Sequence, residues 1–369
     1  RPYRLEHRPD PASAAPHEDS MDPAELPDDV RAAAARFDLG GAAIASTPLV
    51  RGHIHRTHVV TVEGGARFLL QRMNERVFTD VPGLMHNIAE VTSFLARSPG
   101  ELEALRLVPT VDGAAYHRGP EAPWRAYHFV EGTLSLDRPE SPDMARDAAA
   151  AFADFQVRLT ALDPDRLRVT IPGFFDSLKR LRDLRAVVRA DRVDRAAGAA
   201  REIAFVEERA DQMGVMERAL EDGRMPARIV HGDTKLNNVL LDAETRRPRC
   251  IVDLDTCMPG YALFDLGDMV RFTASTAAED ERDLDRVSVD LDLYRAIEDG
   301  YLSVAGDALT PFEREHLGFT ARLVTLTLAT RFLADHIDDG GYFQEHRDGH
   351  NLDRARAQLR LVAEMERLV

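Results

Sequence analysis

Residues 231–238 run His231-Gly232-Asp233-Thr234-Lys235-Leu236-Asn237-Asn238. The stretch is entered from the apolar pair Ile229-Val230 and left through Val239-Leu240-Leu241, so it reads as a polar loop between two short buried strands. Fifteen residues after Asn238 comes Asp253, in a second apolar run that ends in acids, Ile251-Val252-Asp253-Leu254-Asp255. One loop can then place a carboxylate and an amide five residues apart, and a second strand can deliver another carboxylate to the same spot. Hard oxygen donors of this kind suit Mg2+ rather than zinc. Phosphoryl transfer asks the protein for a carboxylate that orients the attacking hydroxyl, ligands for the cation and positive charge near the γ-phosphate. Asp233, Asn238, Asp253 and Lys235 can supply each of these.

Working outward, the segments before the loop are rich in β-like runs. ASTPLV, HIHRTHVVTV and FLLQRM read as strands, the last two joined by a hairpin turn at Glu63-Gly64-Gly65. A helix is expected from Asp28 through DDVRAAAARFDL, and an amphipathic one in PGLMHNIAEVTSFLAR, with Leu84, Ile88, Val91 and Leu95 at helical spacing. LRLVPTV and WRAYHFVEG follow as strands, and from about Asp143 the pattern is mostly helical. The fold class is therefore α+β and two-lobed. Residues 1–27 are expected to be a mobile tail, 28–131 a small β-rich lobe, and 132–369 a larger, mainly helical lobe.

Composition narrows the partners. With 369 residues, 44 % hydrophobic and 30 % charged, this is globular protein with room for two domains. A count of 47 basic against 63 acidic residues, net −16, disfavours nucleic acid and anionic membrane as partners. Cys250 and Cys257 are too few for a disulfide framework. No apolar run approaches the roughly 18 residues of a membrane span, and no signal-like segment is read, so a cytoplasmic monomer or weak dimer is expected. Only two lysines occur, Lys179 and Lys235.

The motif H-x-D-x-x-x-x-N followed by a strand with an Asp resembles the protein-kinase-like fold, in the variant of aminoglycoside phosphotransferases and choline kinases. HGDTKLNNVL, IVDLDTCMPG, FDLGDMVR, TRFLADHI and HNLDRARAQL resemble the bacterial N-acetylhexosamine 1-kinases, as do GHIHRTH, FLLQRMNERVF and LMHNIAEVT. The resemblance runs from about Leu49 to Met365. It implies transfer of the γ-phosphate of ATP to the anomeric hydroxyl of a sugar, with ATP and Mg2+ as cofactors. By the same resemblance Asp233 is the catalytic base, Asn238 and Asp253 hold Mg2+, and Lys235 contacts phosphate. His231 is expected to buttress the loop through hydrogen bonds.

Protein kinases pair ATP phosphates with a strand lysine and a helix glutamate. No lysine precedes residue 179, so that role is absent or belongs to arginine, and Arg72 paired with Glu90 is the expectation. Gly52 is expected to cover phosphate, and Phe129 and Glu131 to meet adenine at the lobe junction. Asp255, Arg331 and Asp335 are expected to face the sugar, with lesser parts for Tyr342 and His350. Phe174-Phe175-Asp176-Ser177 stands where the resembling family has a His, a departure that bears on which sugar is bound. His53, His55 and His58 mimic a metal site but lack a further ligand, so they read as one wet strand face, and the two cysteines read as buried small hydrophobes. Two rivals remain. One is an aminoglycoside-type antibiotic phosphotransferase, whose polycationic substrate would suit an acidic protein; the other is a kinase-fold binding module without turnover.

Overall fold

The hairpin at residues 63–65 forms in the computed structural model, which describes residues 26–49 and 54–368. Gly64 and Gly65 sit at φ of 92° and 86°, a region closed to most L side chains, which is why two glycines mark this turn. Gly52 and most of the expected tail lie outside the described residues. Backbone contacts divide the chain into two units: the described parts of residues 1–77 with 108–129, and residues 78–107 with 130–369.

The first unit is built on one helix, α1 (Asp28–Ala34), and a sheet. Its strands are β1 (Ala43–Leu49), β2 (Arg56–Val62), β3 (Arg67–Arg72), β4 (Leu107–Val108), β5 (His117–Arg118) and β6 (Pro123–His128). The sheet order is β1-β2-β3-β6-β4, with β5 on β6, and β1, β2, β3 and β6 pair antiparallel. Alternation assigns Val60, Val62, Phe68, Leu70, Trp124 and Ala126 to one face, where they form a core with Val30, Ala33, Ala34 and Phe37. The opposite face carries Thr57, Val59, Leu69, Gln71, Arg125 and Tyr127, in register across β2, β3 and β6. α1 is shorter than its sequence pattern, because Phe37 leaves the helix to bridge Thr110.

The second unit begins with α2 (Val81–Leu95), the amphipathic helix of the sequence pattern. Asp80 caps it, accepting from Gly83 N at 2.9 Å, and Leu84, Ile88, Val91 and Leu95 form its buried stripe. Contacts group α2 with the larger unit, whereas the sequence reading drew one small lobe over 28–131. Two buried groups account for this. Asn87 Nδ2 donates to Arg168 O and Cys257 O while its Oδ1 accepts from Arg168 N, and the Arg158 guanidinium donates to Leu95 O, Ser98 O and Leu102 O beyond the helix end.

The remaining elements are β7 (Thr133–Leu134), α3 (Pro142–Leu159), α4 (Ser177–Ala190), α5 (Ala200–Glu207), α6 (Val215–Glu221), β8 (Arg228–Val230), β9 (Val239–Asp242), β10 (Pro248–Ile251) and β11 (Met258–Gly260). They are followed by α7 (Leu263–Thr273), α8 (Leu291–Ala305), α9 (Pro311–Glu315), α10 (Leu317–Asp338) and α11 (His350–Leu368). α3 packs on α8, and α10 packs on α4, α7 and α11. α10 is long and apolar enough to cross a membrane by length and composition, contrary to the sequence expectation, but most of it is buried in this core.

The α3–α8 contact is close. A Cβ on Gly300 of α8 would lie 2.1 Å from the backbone carbonyl oxygen of Arg146 on α3. Helix propensity alone favours alanine over glycine by about 1 kcal/mol. Here two backbones would have to separate, an overpacking cost of about 1–3 kcal/mol that wins. Gly300→Ala is expected to lower the melting temperature in a thermal scan; an unchanged or higher value would show that the helices part freely.

Candidate active site

Gly232 follows β8 at φ 80°, and a Cβ there would meet Thr256 O at 2.9 Å and Phe175 Cζ at 3.2 Å. Glycine alone fits, and the turn it makes leaves two backbone N–H groups pointing into the core. Asp265 on α7 accepts both: its Oδ2 takes His231 N at 2.9 Å and its Oδ1 takes Gly232 N at 2.8 Å. Gln156 Nε2 donates to the same carboxylate at 2.5 Å and is held in turn by Tyr301 Oη at 2.6 Å. Burial pushes the Asp265 carboxyl up, opposed by the two backbone donors and Gln156. One turn on, Asp268 accepts Thr234 N at 3.0 Å and binds Arg271 through Nε and Nη2. Two buried carboxylates of one helix thus clamp the loop backbone.

His231 is fully buried and serves the loop through both ring nitrogens. Nε2 faces Val252 O at 2.9 Å, an acceptor only, and Nδ1 faces the Asp233 N–H at 3.3 Å, a donor only. The neutral tautomer protonated on Nε2 satisfies both. Its hydrogen bonds are the buttress expected from the sequence, and they tie the loop to the segment that carries Asp253.

Within this frame the loop side chains converge. Lys235 Nζ lies 2.9 Å from Asp233 Oδ1, and Asn238 Nδ2 donates to Asp233 O at 2.8 Å and to Oδ2 at 3.2 Å. Burial would raise the Asp233 carboxyl, but the Lys235 ammonium beside it, together with Arg271, holds it below the ordinary carboxylate range. Asp233 and Asp268 in turn drive the Lys235 ammonium well above its usual value, against its burial. Both groups are charged at neutral pH. Antiparallel pairing of Ile251 with Val239, and Val252 N donating to Asn238 O at 2.9 Å, bring Asp253 alongside Asn238. Asp253 adopts φ 61°, ψ 60°, a left-handed conformation that costs a non-glycine residue about 1–3 kcal/mol and recurs at functional sites. The Asn238 amide oxygen and the Asp253 carboxylate are hard oxygen donors, the type a small divalent cation takes.

Farther along, Arg331 of α10 stacks over Phe174, Tyr342 and Phe343 at 5.2, 5.4 and 5.2 Å, and its Nη2 meets Tyr342 Oη at 3.2 Å. Among the described residues no carboxylate pairs with it, and burial pulls it down to about 10, still charged at neutral pH. It borders a cavity of about 200 Å3 with Arg180, Asp183, Asp338, Tyr342 and Phe343. Phe174, under Arg331, packs on Phe175, the ring that closes over Gly232.

Several expected contacts take another form. Asp335 lines the same cavity as Arg331, and it also accepts Tyr342 N and Phe343 N at 3.0 Å and Asn351 Nδ2 at 2.9 Å, so it fastens the loop after α10. Arg72 pairs with Glu121 and Glu90 with Arg166, in place of the expected Arg72–Glu90 pair. Arg72 ends β3 opposite Trp124 of β6, close to the β5–β6 turn that carries Glu121. Phe129 stacks under Arg67 at 4.4 Å, Glu131 is exposed, Asp255 is buried, and His350 faces Asp280 at 3.0 Å. His58 bonds Ser46, and both cysteines are buried. The sequence reading missed the clamp by Asp265 and Asp268; two acids among the apolar residues of FDLGDMVR were its only sign.

A small antiparallel sheet followed by a helical unit with this loop is the protein-kinase-like fold. The structure is similar to an aminoglycoside phosphotransferase from Alicyclobacillus acidocaldarius, with TM-score 0.61, 15 % identity, and coverage of 95 % of this chain and 98 % of that one. It is also similar to a microcompartment-associated aminopropanol kinase (TM-score 0.58, 18 % identity, 87 % and 92 % coverage). A third similar structure is the amicoumacin kinase hAmiN in complex with AMP-PNP, Ca2+ and Ami (TM-score 0.57, 13 % identity, 88 % and 89 %). Residues 46–299 match the model of the phosphotransferase enzyme family, APH, and the chain belongs to that family.

The clamp predicts a measurable dependence. In Asp265→Asn one carboxylate oxygen becomes an NH2 that opposes a backbone N–H, costing about 1–3 kcal/mol of stability. Melting should move down accordingly and phosphoryl transfer should slow more than tenfold. Wild-type stability and rate together would show that the loop holds its shape without Asp265.

Proposed function

We propose that this protein is an ATP- and Mg2+-dependent kinase that phosphorylates the anomeric hydroxyl of an N-acetylhexosamine or a related sugar. The observation that carries the reading is the Asp233 carboxylate, set between Lys235 Nζ and Asn238 Nδ2 on a loop clamped from beneath. Asp233 accepts the proton of the sugar hydroxyl as its oxygen bonds to the γ-phosphorus and the bond from that phosphorus to the ADP oxygen breaks. A hemiacetal hydroxyl is more acidic than an ordinary alcohol, which suits a base held below the usual carboxylate range. Lys235 is within reach of the transferred group, and positioning supplies most of the rate. Asn238 and Asp253 would hold Mg2+, which when bound neutralises phosphate charge.

The cavity beside Arg331 favours a neutral single-ring acceptor over an aminoglycoside. Its volume of about 200 Å3 is below the ~300–1,000 Å3 of drug-sized ligand sites. Two guanidiniums line it, and the lining carboxylates are engaged: Asp183 with Lys179, Asp338 with Arg192, Asp335 with backbone N–H groups. A polycation would have to compete with these existing partners for the lining carboxylates. Arg331 and Tyr342 are suited to sugar hydroxyl and acetamide oxygens.

The test is 31P NMR of the protein with ATP, Mg2+ and GlcNAc, GalNAc, glucose, galactose, glucosamine or one aminoglycoside. The expected result is a sugar 1-phosphate signal coupled to the anomeric proton and absent with Asp233→Asn. Phosphorylation of the aminoglycoside alone would replace this reading with the antibiotic-modifying one, and intact ATP across the panel would defeat it. A second expectation concerns the cation: EDTA should stop transfer, Mg2+ should restore it, and Asp253→Asn should raise the Mg2+ needed for half-maximal rate at least tenfold. An unaltered Mg2+ requirement would remove Asp253 from the cation site.

A further inference from the structure

Two guanidiniums, Arg331 of α10 and Arg180 of α4, line one cavity of about 200 Å3. Among the described residues the one hydrogen bond of Arg331 runs from Nη2 to Tyr342 Oη, at 3.2 Å. The N–H groups on its Nε and Nη1 have no protein partner, and solvent reaches both nitrogens. The Arg180 side chain is 16 % exposed, and its carboxylate neighbour, Asp183 Oδ2, stands 3.6 Å from Nη1. That oxygen is already bound by Lys179 Nζ at 2.6 Å. Arg180 Nε is buried without a partner, and Nη2, which solvent reaches, has none among the described residues.

The other carboxylates of the lining do not neutralise this pair. Asp338 accepts from Arg192 Nε and Nη2, and Asp335 accepts the two backbone N–H groups of the loop after α10. Burial first, and then the Arg180 charge, pull the Arg331 guanidinium down to about 10. Two like charges at one concave site repel unless an anion lies between them. A carboxylate answers both, because each planar fork can offer it parallel N–H donors. Tyr342 adds a further donor: its oxygen accepts from Arg331, which leaves the O–H hydrogen to be given outward.

We propose that the acceptor of this kinase is an acidic monosaccharide, a hexose whose carboxylate is held in this cavity by Arg180 and Arg331. The assignment rests on the kinase reading above and narrows its acceptor class. Against a polycation the cavity favours a neutral ring, and the same charges favour a ring with one carboxylate further still.

Initial rates of ADP release with ATP, Mg2+ and paired sugars test it: GlcNAc against N-acetylglucosaminuronate, glucose against glucuronate, and galactose against galacturonate. Within each pair only the C6 group differs, CH2OH in one and a carboxylate in the other. In at least one pair the acid is expected to show a kcat/KM at least tenfold above its neutral partner at low salt. The ratio should fall as NaCl is raised, because the attraction is between charges that solvent reaches. Arg180→Gln should bring the ratio below threefold, and Arg180→Lys should keep more of it. A wild-type ratio below tenfold in all three pairs overturns the assignment, as does a folded Arg180→Gln that keeps the full ratio. Should Arg180→Gln fail to fold, the wild-type ratio and its salt dependence decide: a tenfold ratio that falls with NaCl supports the assignment, and one indifferent to NaCl overturns it. Turnover confined to neutral sugars overturns the acceptor assignment alone, whereas no ADP release with any sugar defeats the kinase reading and the assignment with it.

Discussion

The Asp265 carboxylate is the constraint on which the candidate active site depends. Without it, Gly232 would leave two backbone N–H groups unpaired inside the protein, each costing about 1–3 kcal/mol. With it, the turn is held from below, and Asp233 and Lys235 can stand on the other side with their charges uncovered. Asp265 is itself sustained by Gln156 of α3 and through it by Tyr301 of α8, so the packing of α3 on α8 reaches the loop through two hydrogen bonds. The close approach at Gly300 belongs to the same arrangement.

A division of charge follows. The acids on α7 are structural: Asp265 takes backbone donors and Asp268 takes Thr234 N and Arg271. The acid on the loop, Asp233, is met instead by the side chains of Lys235 and Asn238, and it is the one to which the proposed reading gives the chemistry. Burial acts on all of them alike, yet Asp265 is pushed up and Asp233 held down. The difference lies in the neighbours, because a full positive charge at 2.9 Å outweighs desolvation where neutral N–H donors do not. In the same way the cavity near α10 keeps one guanidinium on three aromatic rings while its lining carboxylates are bound elsewhere, and its electrostatic character is set by which ions are already paired.

Much of this was legible in the residues. The order of strands and helices, the hairpin at Gly64-Gly65, α2 with its stripe of Leu84, Ile88, Val91 and Leu95, and the grouping of Asp233, Lys235, Asn238 and Asp253 all follow from local signals. Periodicity, turn chemistry and short spacings act within a few residues or between adjacent strands, so the sequence carries them directly. The helix expected through DDVRAAAARFDL ends early because Phe37 leaves to bridge Thr110, an event with no strong local sign.

What the sequence by itself determined was the class of chemistry, because the loop must carry its carboxylate, amide and ammonium in fixed order. Tertiary structure alone decided the partners. Arg331 and Asp335 sit one helical turn apart, the spacing of an ion pair, yet one stacks on aromatic rings and the other holds the following loop. Arg72 and Glu90 each meet a different group, and α2 joins the larger unit through Asn87 and Arg158. A charged side chain pairs with whichever opposite charge or backbone donor the fold brings within about 3 Å, and sequence spacing fixes that distance only along a single helix or between neighbouring strands.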